Sequence, residues 1–191
     1  MPTGPAAERG FRRVDERTVH AGAVISTAVA TFEAPDGTTF ERDVVRHPGA
    51  VSVVPLVTGG GGGDEVVLVR QYRAAIDGWL LEIPAGKRDV ADEPPELTAS
   101  RELVEEVGLE PVGLVKLAEF QNSPGFCDEH SFVFLAVDPV PAVASAHSLE
   151  EEYLTVERVP LDDVAAMIAA GEITDAKTII GLTLTLLRRA G

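Results

Sequence analysis

The segment from Gly86 to Leu109 constrains the fold of this chain more than any other. It reads GKRDVADEPPELTASRELVEEVGL, so two prolines precede a run of helix-forming residues that ends at Gly108. Because proline is favoured in the first turn of a helix and glycine just past its last turn, the segment predicts a helix from about Pro94 to Val107. Four apolar residues are predicted to anchor this helix to a sheet: Leu97, Leu103, Val104 and Val107.

Three glutamates in this helix stand at positions i, i+3 and i+4, namely Glu102, Glu105 and Glu106. This spacing stacks their side chains on one helical face, where each like-charge pair costs a few tenths of a kcal/mol in water. A glutamate-rich helix is often only a solvated surface. The other interpretation is a cation site, because hard carboxylate oxygens suit Mg²⁺ or Mn²⁺.

The same segment resembles the signature of the Nudix hydrolases, which is a glycine, a glutamate, and then Arg-Glu-apolar-x-Glu-Glu-x-Gly-apolar. The residues that fall on this pattern are Gly86, Glu93, Arg101, Glu102, Leu103, Glu105, Glu106, Gly108 and Leu109. One departure is present, since six residues separate Gly86 from Glu93 where the family has five, and Asp92 stands at the usual place of the glutamate. The extra residue precedes the predicted helix and need not disturb it.

The resemblance implies hydrolysis of a nucleoside diphosphate that is linked to another moiety, with metal-activated water as the nucleophile. It implies that Glu102 and Glu106 are the principal metal ligands, that Glu105 shares the site as a ligand or catalytic residue, and that the Ala85 carbonyl is a further ligand. Arg101 is predicted to pair with Glu105 and to orient the glutamates. An ordinary surface ion pair is the alternative for Arg101.

A general base is expected outside the helix. In ADP-ribose pyrophosphatases of this family a mobile loop carries the catalytic glutamate, and here the run from Glu150 to Glu152 precedes a predicted strand at Tyr153. Glu151 is the first candidate and Glu152 the second, with loop closure completing the site. A solvated acidic loop without chemistry is the alternative.

The substrate is suggested by residues on either side of the signature. The stretch from Val69 to Gly86 resembles the approach to the signature in ADP-ribose pyrophosphatases, where the arginine equivalent to Arg73 contacts the diphosphate. Glu82 in that stretch is a further candidate substrate-binding residue. Pro124, fifteen residues past the signature, stands where ADP-ribose hydrolases carry a marker proline. On its own, Ser-Pro-Gly is only a turn.

Two other functions remain open from the sequence. The metal helix does not recognise the distal sugar, so a pyrophosphatase for another nucleoside diphosphate sugar fits the same residues. A non-catalytic ADP-ribose sensor is the other alternative, but such sensors carry a DNA-binding module after the Nudix domain, whereas this chain ends at Gly191.

The remaining sequence predicts an α/β (α+β) fold, a Nudix-type α/β/α sandwich with a mixed sheet and an N-terminal antiparallel β annex. The annex occupies residues 1–48, with residues 1–12 disordered, and the Nudix domain occupies 49–191. Asp36-Gly37 predicts a hairpin between two annex strands, and the glycines from 59 to 63 a loose hairpin loop. Further strands are predicted at 50–57, 65–71, 79–83, 112–120, 131–137 and 153–159, and further helices at 161–170 and 175–189.

Composition restricts partners and location. A net charge of −15 opposes broad binding to nucleic acid or to an anionic membrane, and no apolar run approaches membrane-spanning length. Cys127 is the only cysteine, so a disulfide framework is excluded and a cytoplasmic location is expected. The resemblance implies a homodimer with swapped N-terminal strands, in which Arg42 or Arg46 reaches the partner's substrate site.

Overall fold

The structure is a computed structural model that describes residues 10–143 and 153–190. These residues form twelve β-strands and three α-helices. The strands are β1 (Arg12–Ala21), β2 (Ser26–Glu33), β3 (Thr39–Arg46), β4 (Ala50–Thr58), β5 (Asp64–Arg73), β6 (Gly78–Glu82), β7 (Ala85–Lys87), β8 (Leu109–Glu110), β9 (Val115–Gln121), β10 (His130–Val137), β11 (Val140–Pro141) and β12 (Thr155–Pro160). The helices are α1 (Pro95–Val107), α2 (Val164–Ala170) and α3 (Ala176–Ala190), with 3₁₀ turns at Ala74–Ile76 and Leu161–Asp163. None of these helices is both long and apolar enough to cross a membrane.

The chain divides into two compact units. The first combines the residues up to Gly49 with Gln121–His130, and the second contains Ala50–Phe120 and the residues from Ser131 onward. The sequence predicts a division after residue 48 but does not predict that the 121–130 segment joins the first unit. This segment joins it through backbone hydrogen bonds to the end of β3, with Val45 donating to Phe126 over 2.7 Å and accepting from Asp128 over 3.1 Å.

The first unit contains an antiparallel sheet in the order β1-β2-β3. Its predicted hairpin is present, with Gly37 at φ +83° donating a hydrogen bond of 2.9 Å to the Ala34 carbonyl. The sequence prediction missed β1, whose side chains are exposed at all but one position and therefore show no alternation of apolar and polar residues. The expectation of disorder up to residue 12 is wrong at Arg12, which pairs with Glu33 in this ladder; residues 1–9 lie outside the described ranges.

The second unit contains a seven-stranded mixed sheet. Its order is β12-β5-β4-β10-β9, with β6 paired to β5 and β7 paired to β4. Strands β4 and β10 are parallel, whereas β5 runs antiparallel to β4, β6 and β12. Strand β4 is buried at every residue from Ala50 to Val57, as is typical of a central strand covered on both faces, and Ser52 is the one polar residue among them.

Helices cover both faces of this sheet, which confirms the predicted α/β/α sandwich. Val164 of α2 and Leu182 of α3 pack on one face, and Ala99 and Leu103 of α1 pack on the other. The prediction that Leu97 anchors α1 is wrong: its side chain is 58% exposed, because it lies in the first turn on the side facing away from the sheet.

Candidate active site

Helix α1 begins and ends where its sequence predicts. Pro94 occupies the N-cap position, and Gly108 adopts the left-handed conformation at φ +64°, with its N–H on the Val104 carbonyl at 3.0 Å. Because Thr98, Ala99 and Leu103 are buried toward the sheet, the glutamates that follow Arg101 lie along the side of the helix that reaches β7.

Two of these glutamates lie against the backbone of two consecutive residues in β7. Glu106 accepts a hydrogen bond of 3.0 Å from the Ala85 N–H. The carboxylate of Glu102 occupies the space that a Cβ atom on residue 86 would fill, so any larger residue at this position would displace that carboxylate. Pairing of Ala85 with Ser52 of β4 fixes this backbone in the sheet. Side chains separated by one helical turn therefore converge on the Ala85–Gly86 peptide.

Arg101 holds the carboxylates of its neighbours. Its Nη1 atom lies 2.9 Å from Glu102 Oε1 and 3.0 Å from Glu105 Oε2, so the predicted pairing with Glu105 is present and Glu102 shares it. Burial alone would lower the pKa of the Arg101 guanidinium, but the charges of Glu102, Glu105 and Glu93 raise it overall. Arg101 thus offsets part of the repulsion among the glutamates.

The extra residue of the signature is accommodated in the loop before α1. Asp92 adopts a left-handed conformation at φ +60°, which an aspartate tolerates better than most residues, and its side chain is exposed. Glu93 consequently points toward Arg101 and the glutamates of α1. It accepts a hydrogen bond of 2.7 Å from Thr98 Oγ1 and lies 3.7 Å from Arg101 Nη2. The exposed Asp92 therefore accommodates the extra residue of the loop. Glu93 still lies beside Arg101, the arginine of the signature.

Arg73 and Glu82 form a bidentate ion pair. Arg73 Nε and Nη2 each lie 2.7 Å from a carboxylate oxygen of Glu82, whose side chain is 1% exposed. Among the described residues only Glu82 accepts hydrogen bonds from this guanidinium, so the edge that includes Nη1 stays available to an anion. The Glu82 hydrogen bond raises the pKa of Arg73, and the charges of Glu106 and Asp175 raise it further. Arg73 thus lies within electrostatic reach of the glutamate helix.

The sequence prediction missed three residues at the start of α3 that belong to this region. Lys177 Nζ lies 2.6 Å from Asp175 Oδ1 and 4.0 Å from Glu82 Oε2. Asp175 Oδ2 accepts hydrogen bonds from the Thr178 N–H at 2.9 Å and from Thr178 Oγ1 at 2.8 Å. The only local signal was the Asp-x-x-Thr pattern of a helix N-terminus, which does not reveal a contact with Glu82.

Three predicted substrate-binding residues lie in the first unit. Arg46 is held by Glu16 at 3.0 Å and by Asp128 at 2.9 Å, and the hydrogen bond to Glu16 raises the pKa of its guanidinium. Arg42 lies over the Phe40 ring, 4.7 Å from its centroid. Pro124 is exposed in a turn closed by hydrogen bonds to the Ser123 carbonyl. The predicted bases Glu151 and Glu152 lie outside the described residues.

The donor set around Gly86 fits a hard divalent cation. Glu102, Glu105 and Glu106 supply carboxylate oxygens, and the absence of a side chain at residue 86 lets one carboxylate reach the backbone. Over residues 10–143 and 153–190, no three His, Cys, Asp or Glu side chains already converge as a preformed metal site. In the described arrangement Arg101 and the Ala85 N–H hold the carboxylates that an ion would draw together.

Comparison with known proteins agrees with this geometry. The NUDIX domain family model matches residues 46–180. An ADP-ribose pyrophosphatase from Bacillus subtilis (strain 168) is 35% identical over 94% of this chain and 94% of its own length. An ADP-ribose pyrophosphatase from Mycobacterium tuberculosis is 36% identical over 92% of this chain and 83% of its own. A solved structure described as an ADP compounds hydrolase superposes with a TM-score of 0.78 at 21% identity, covering 95% of this chain and 96% of the other.

The chain belongs to the NUDIX domain family, which confirms the resemblance seen in its signature. Its fold is that of the ADP compounds hydrolase structure over nearly the whole length of both chains. The matched region contains α1, β7, the Arg73–Glu82 pair and Lys177.

Proposed function

We propose that this protein hydrolyses the diphosphate of ADP-ribose to AMP and ribose 5-phosphate in a divalent-metal-dependent reaction. The observation that carries the proposal is the convergence of Glu102 and Glu106 on the Ala85–Gly86 backbone, which begins three residues after Glu82, the ion-pair partner of Arg73. The two ADP-ribose pyrophosphatases that resemble the chain over more than nine-tenths of its length support the choice of substrate.

Glu102 and Glu106 would hold the ion, with Glu105 and the Ala85 carbonyl completing its protein ligands. When bound, the ion neutralises charge on the diphosphate and lowers the pKa of a water. Mg²⁺ is the proposed ion and Mn²⁺ the substitute, because both prefer hard oxygen ligands. Arg101 keeps the glutamates oriented, and the outer edge of Arg73 binds diphosphate oxygens while Glu82 holds its inner edge.

A base outside the helix completes the proposal. Glu151, or Glu152 in second place, accepts the proton of the attacking water, because the glutamates of α1 are engaged in holding the ion. Pro124 is assigned to the substrate-binding surface on the resemblance alone.

A cytoplasmic homodimer with swapped N-terminal strands is the proposed assembly. Of the two arginines assigned to the partner's substrate, Arg42 is the better candidate, since Glu16 and Asp128 already hold Arg46. The guanidinium of Arg42 over Phe40 forms a flat cationic surface that suits an adenine ring.

Hydrolysis of another nucleoside diphosphate sugar is the second candidate. The described residues around α1 are carboxylates and cations suited to an ion and a diphosphate, and these groups do not distinguish one distal sugar from another. Substrate choice therefore depends on groups beyond this cluster.

The assay that tests the proposal incubates the protein with ADP-ribose and Mg²⁺ and separates the products by chromatography. We expect equimolar AMP and ribose 5-phosphate, and loss of product when chelator exceeds the metal. A parallel panel with a GDP-sugar and a UDP-sugar measures kcat/KM. A higher kcat/KM for the GDP-sugar than for ADP-ribose would refute ADP-ribose as the preferred substrate. Undiminished activity in excess chelator would contradict the metal-dependent mechanism.

Arg73→Lys is expected to raise KM for ADP-ribose by roughly 10-fold or more, because lysine cannot bind Glu82 and a phosphate through two separate edges. Initial rates over a range of substrate concentrations measure this effect.

Arg70→Lys is the matched control for this substitution. Arg70 lies on the same strand and pairs with Glu157 through Nε at 2.6 Å and Nη2 at 3.3 Å. Its ion-pair partner is therefore Glu157 of β12, whereas that of Arg73 is Glu82. Equal KM values for the two variants would remove Arg73 from the substrate site.

A further inference from the structure

Lys177 lies between two buried carboxylates. Its Nζ atom is 2.6 Å from Asp175 Oδ1 and 4.0 Å from Glu82 Oε2, the same oxygen that accepts from Arg73 Nη2 at 2.7 Å. Glu82 is fully buried, and Asp175 is 9% exposed. Burial alone would raise the pKa of Asp175, but Lys177 and the Thr178 hydrogen bonds lower it overall, so the Asp175 carboxylate carries charge.

These four side chains balance one another in charge. Glu82 and Asp175 contribute two negative charges, and Arg73 and Lys177 contribute two positive charges. A buried carboxylate that loses a cationic partner is strongly destabilised. Arg73 has a second task in the proposed function, since its outer edge receives the diphosphate. While Arg73 binds Glu82 through its inner edge and the phosphate through its outer edge, Lys177 is a second cation beside Glu82 that does not also bind substrate.

The start of α3 is also tied to the backbone that leads to the glutamate helix. Thr178 Oγ1 accepts a hydrogen bond of 2.9 Å from the Ile83 N–H while donating to Asp175. Ile83 is two residues before Ala85, whose N–H binds Glu106. Lys177, Asp175 and Thr178 therefore connect the start of α3 to Glu82 and to the backbone at Ile83 that leads into β7.

We propose that Lys177 is a positioning residue of the active site, a standing counter-ion for Glu82 that keeps this carboxylate fixed so that Arg73 presents its outer edge to the diphosphate. The role rests on the proposed function. Lys177 acts through Glu82 and Arg73 and does not itself touch substrate.

The test compares wild type with Lys177→Met, which keeps the length of the side chain but removes its charge, and Lys177→Arg, which keeps the charge. We expect Lys177→Met to raise KM for the diphosphate substrate by about 10- to 100-fold, as is usual for residues that orient a binding group, with a smaller change in kcat. Lys177→Arg should stay within about 3-fold of wild type, because the positive charge remains between the two carboxylates. Lys116→Met, an exposed lysine paired with Glu119, is the matched control and should match wild type.

A second comparison places Lys177→Met in a Glu82→Gln background. If Lys177 acts through Glu82, its removal there should change KM by less than about 3-fold, because coupled residues are non-additive. Equal effects in both backgrounds, or Lys177→Met kinetics equal to those of Lys116→Met, would overturn the proposal. Urea unfolding of each variant separates a folding defect from loss of substrate binding.

The kinetic comparison uses whichever diphosphate substrate wild type hydrolyses fastest. If wild type hydrolyses other diphosphates but not ADP-ribose, the proposed substrate is refuted. The Lys177 comparison then stays valid on the diphosphate that wild type hydrolyses fastest. If wild type hydrolyses no diphosphate, the proposed function fails, and the dissociation constant of inorganic pyrophosphate, measured by calorimetry for the same variants, decides the role of Lys177. Equal pyrophosphate affinity in wild type and Lys177→Met would then overturn it.

Discussion

Glu106→Gln should reduce kcat for the diphosphate substrate by about 1,000-fold or more while leaving the protein folded. The substitution removes one charged ligand of the proposed ion, and loss of about 4 kcal/mol of transition-state stabilisation corresponds to about three powers of ten in rate. The amide oxygen of glutamine can still accept the hydrogen bond that Glu106 takes from the Ala85 N–H at 3.0 Å. We therefore expect the free energy of unfolding to change by less than about 1 kcal/mol. Steady-state kinetics and urea unfolding measure the two quantities.

Glu96→Gln is the control for this substitution. Glu96 lies in the first turn of the same helix and is exposed. It should retain wild-type activity. Substantial activity in Glu106→Gln, or an equal loss in Glu96→Gln, would show that general helix charge, and not a specific carboxylate, supports catalysis.

Gly86→Ala should have the second-largest effect. The added methyl group would overlap the Glu102 carboxylate, so this side chain must leave its place on the β7 backbone. We expect kcat to fall by about 100-fold, as when one precisely placed electrostatic group is lost. The cost in stability should stay below about 1 kcal/mol, because the group that must move is the far end of a flexible side chain.

Gly113→Ala is the matched substitution, because a Cβ atom at residue 113 would have no heavy atom within 4 Å. It should leave kcat and the unfolding midpoint near their wild-type values. If Gly86→Ala behaves in the same way, Glu102 does not depend on the approach that the glycine permits. Activity and unfolding curves for both variants decide this.

Helix α1 and its charged face were predictable because their signals are local. Pro94, Gly108 and the spacing of the glutamates all lie within one stretch of chain, and each carries a backbone or side-chain preference that does not depend on distant contacts. The pairing of Arg101 with Glu105 is likewise an i to i+4 contact.

The Arg73–Glu82–Lys177 arrangement was only partly predictable. Arg73 and Glu82 were selected by resemblance to related enzymes, but their direct pairing depends on the β5–β6 ladder, in which Val69 lies opposite Glu82. Lys177 lies 95 positions after Glu82 in the chain, and the neighbouring hydrogen bond between Ile83 and Thr178 spans the same separation. No local pattern in the sequence encodes such a contact.

Short or exposed strands were also beyond prediction. Strand β7 has three residues and exists because β4 pairs with it, and β1 is exposed along nearly its whole length. The longer buried strands β4 and β10 were predicted, because a run of seven or eight mostly apolar residues is a recognisable signal for a buried strand.

The claim that α1 holds a divalent ion is tested most directly by Mn²⁺ binding, measured by the electron paramagnetic resonance signal of free Mn²⁺ in titrations of wild type, Glu106→Gln and Glu96→Gln. Wild type and Glu96→Gln should bind with equal affinity. Affinity in Glu106→Gln should fall by roughly 100-fold, because a neutral amide replaces a charged hard-oxygen ligand. Equal Mn²⁺ affinity in all three proteins would contradict the assignment of this helix as the metal site.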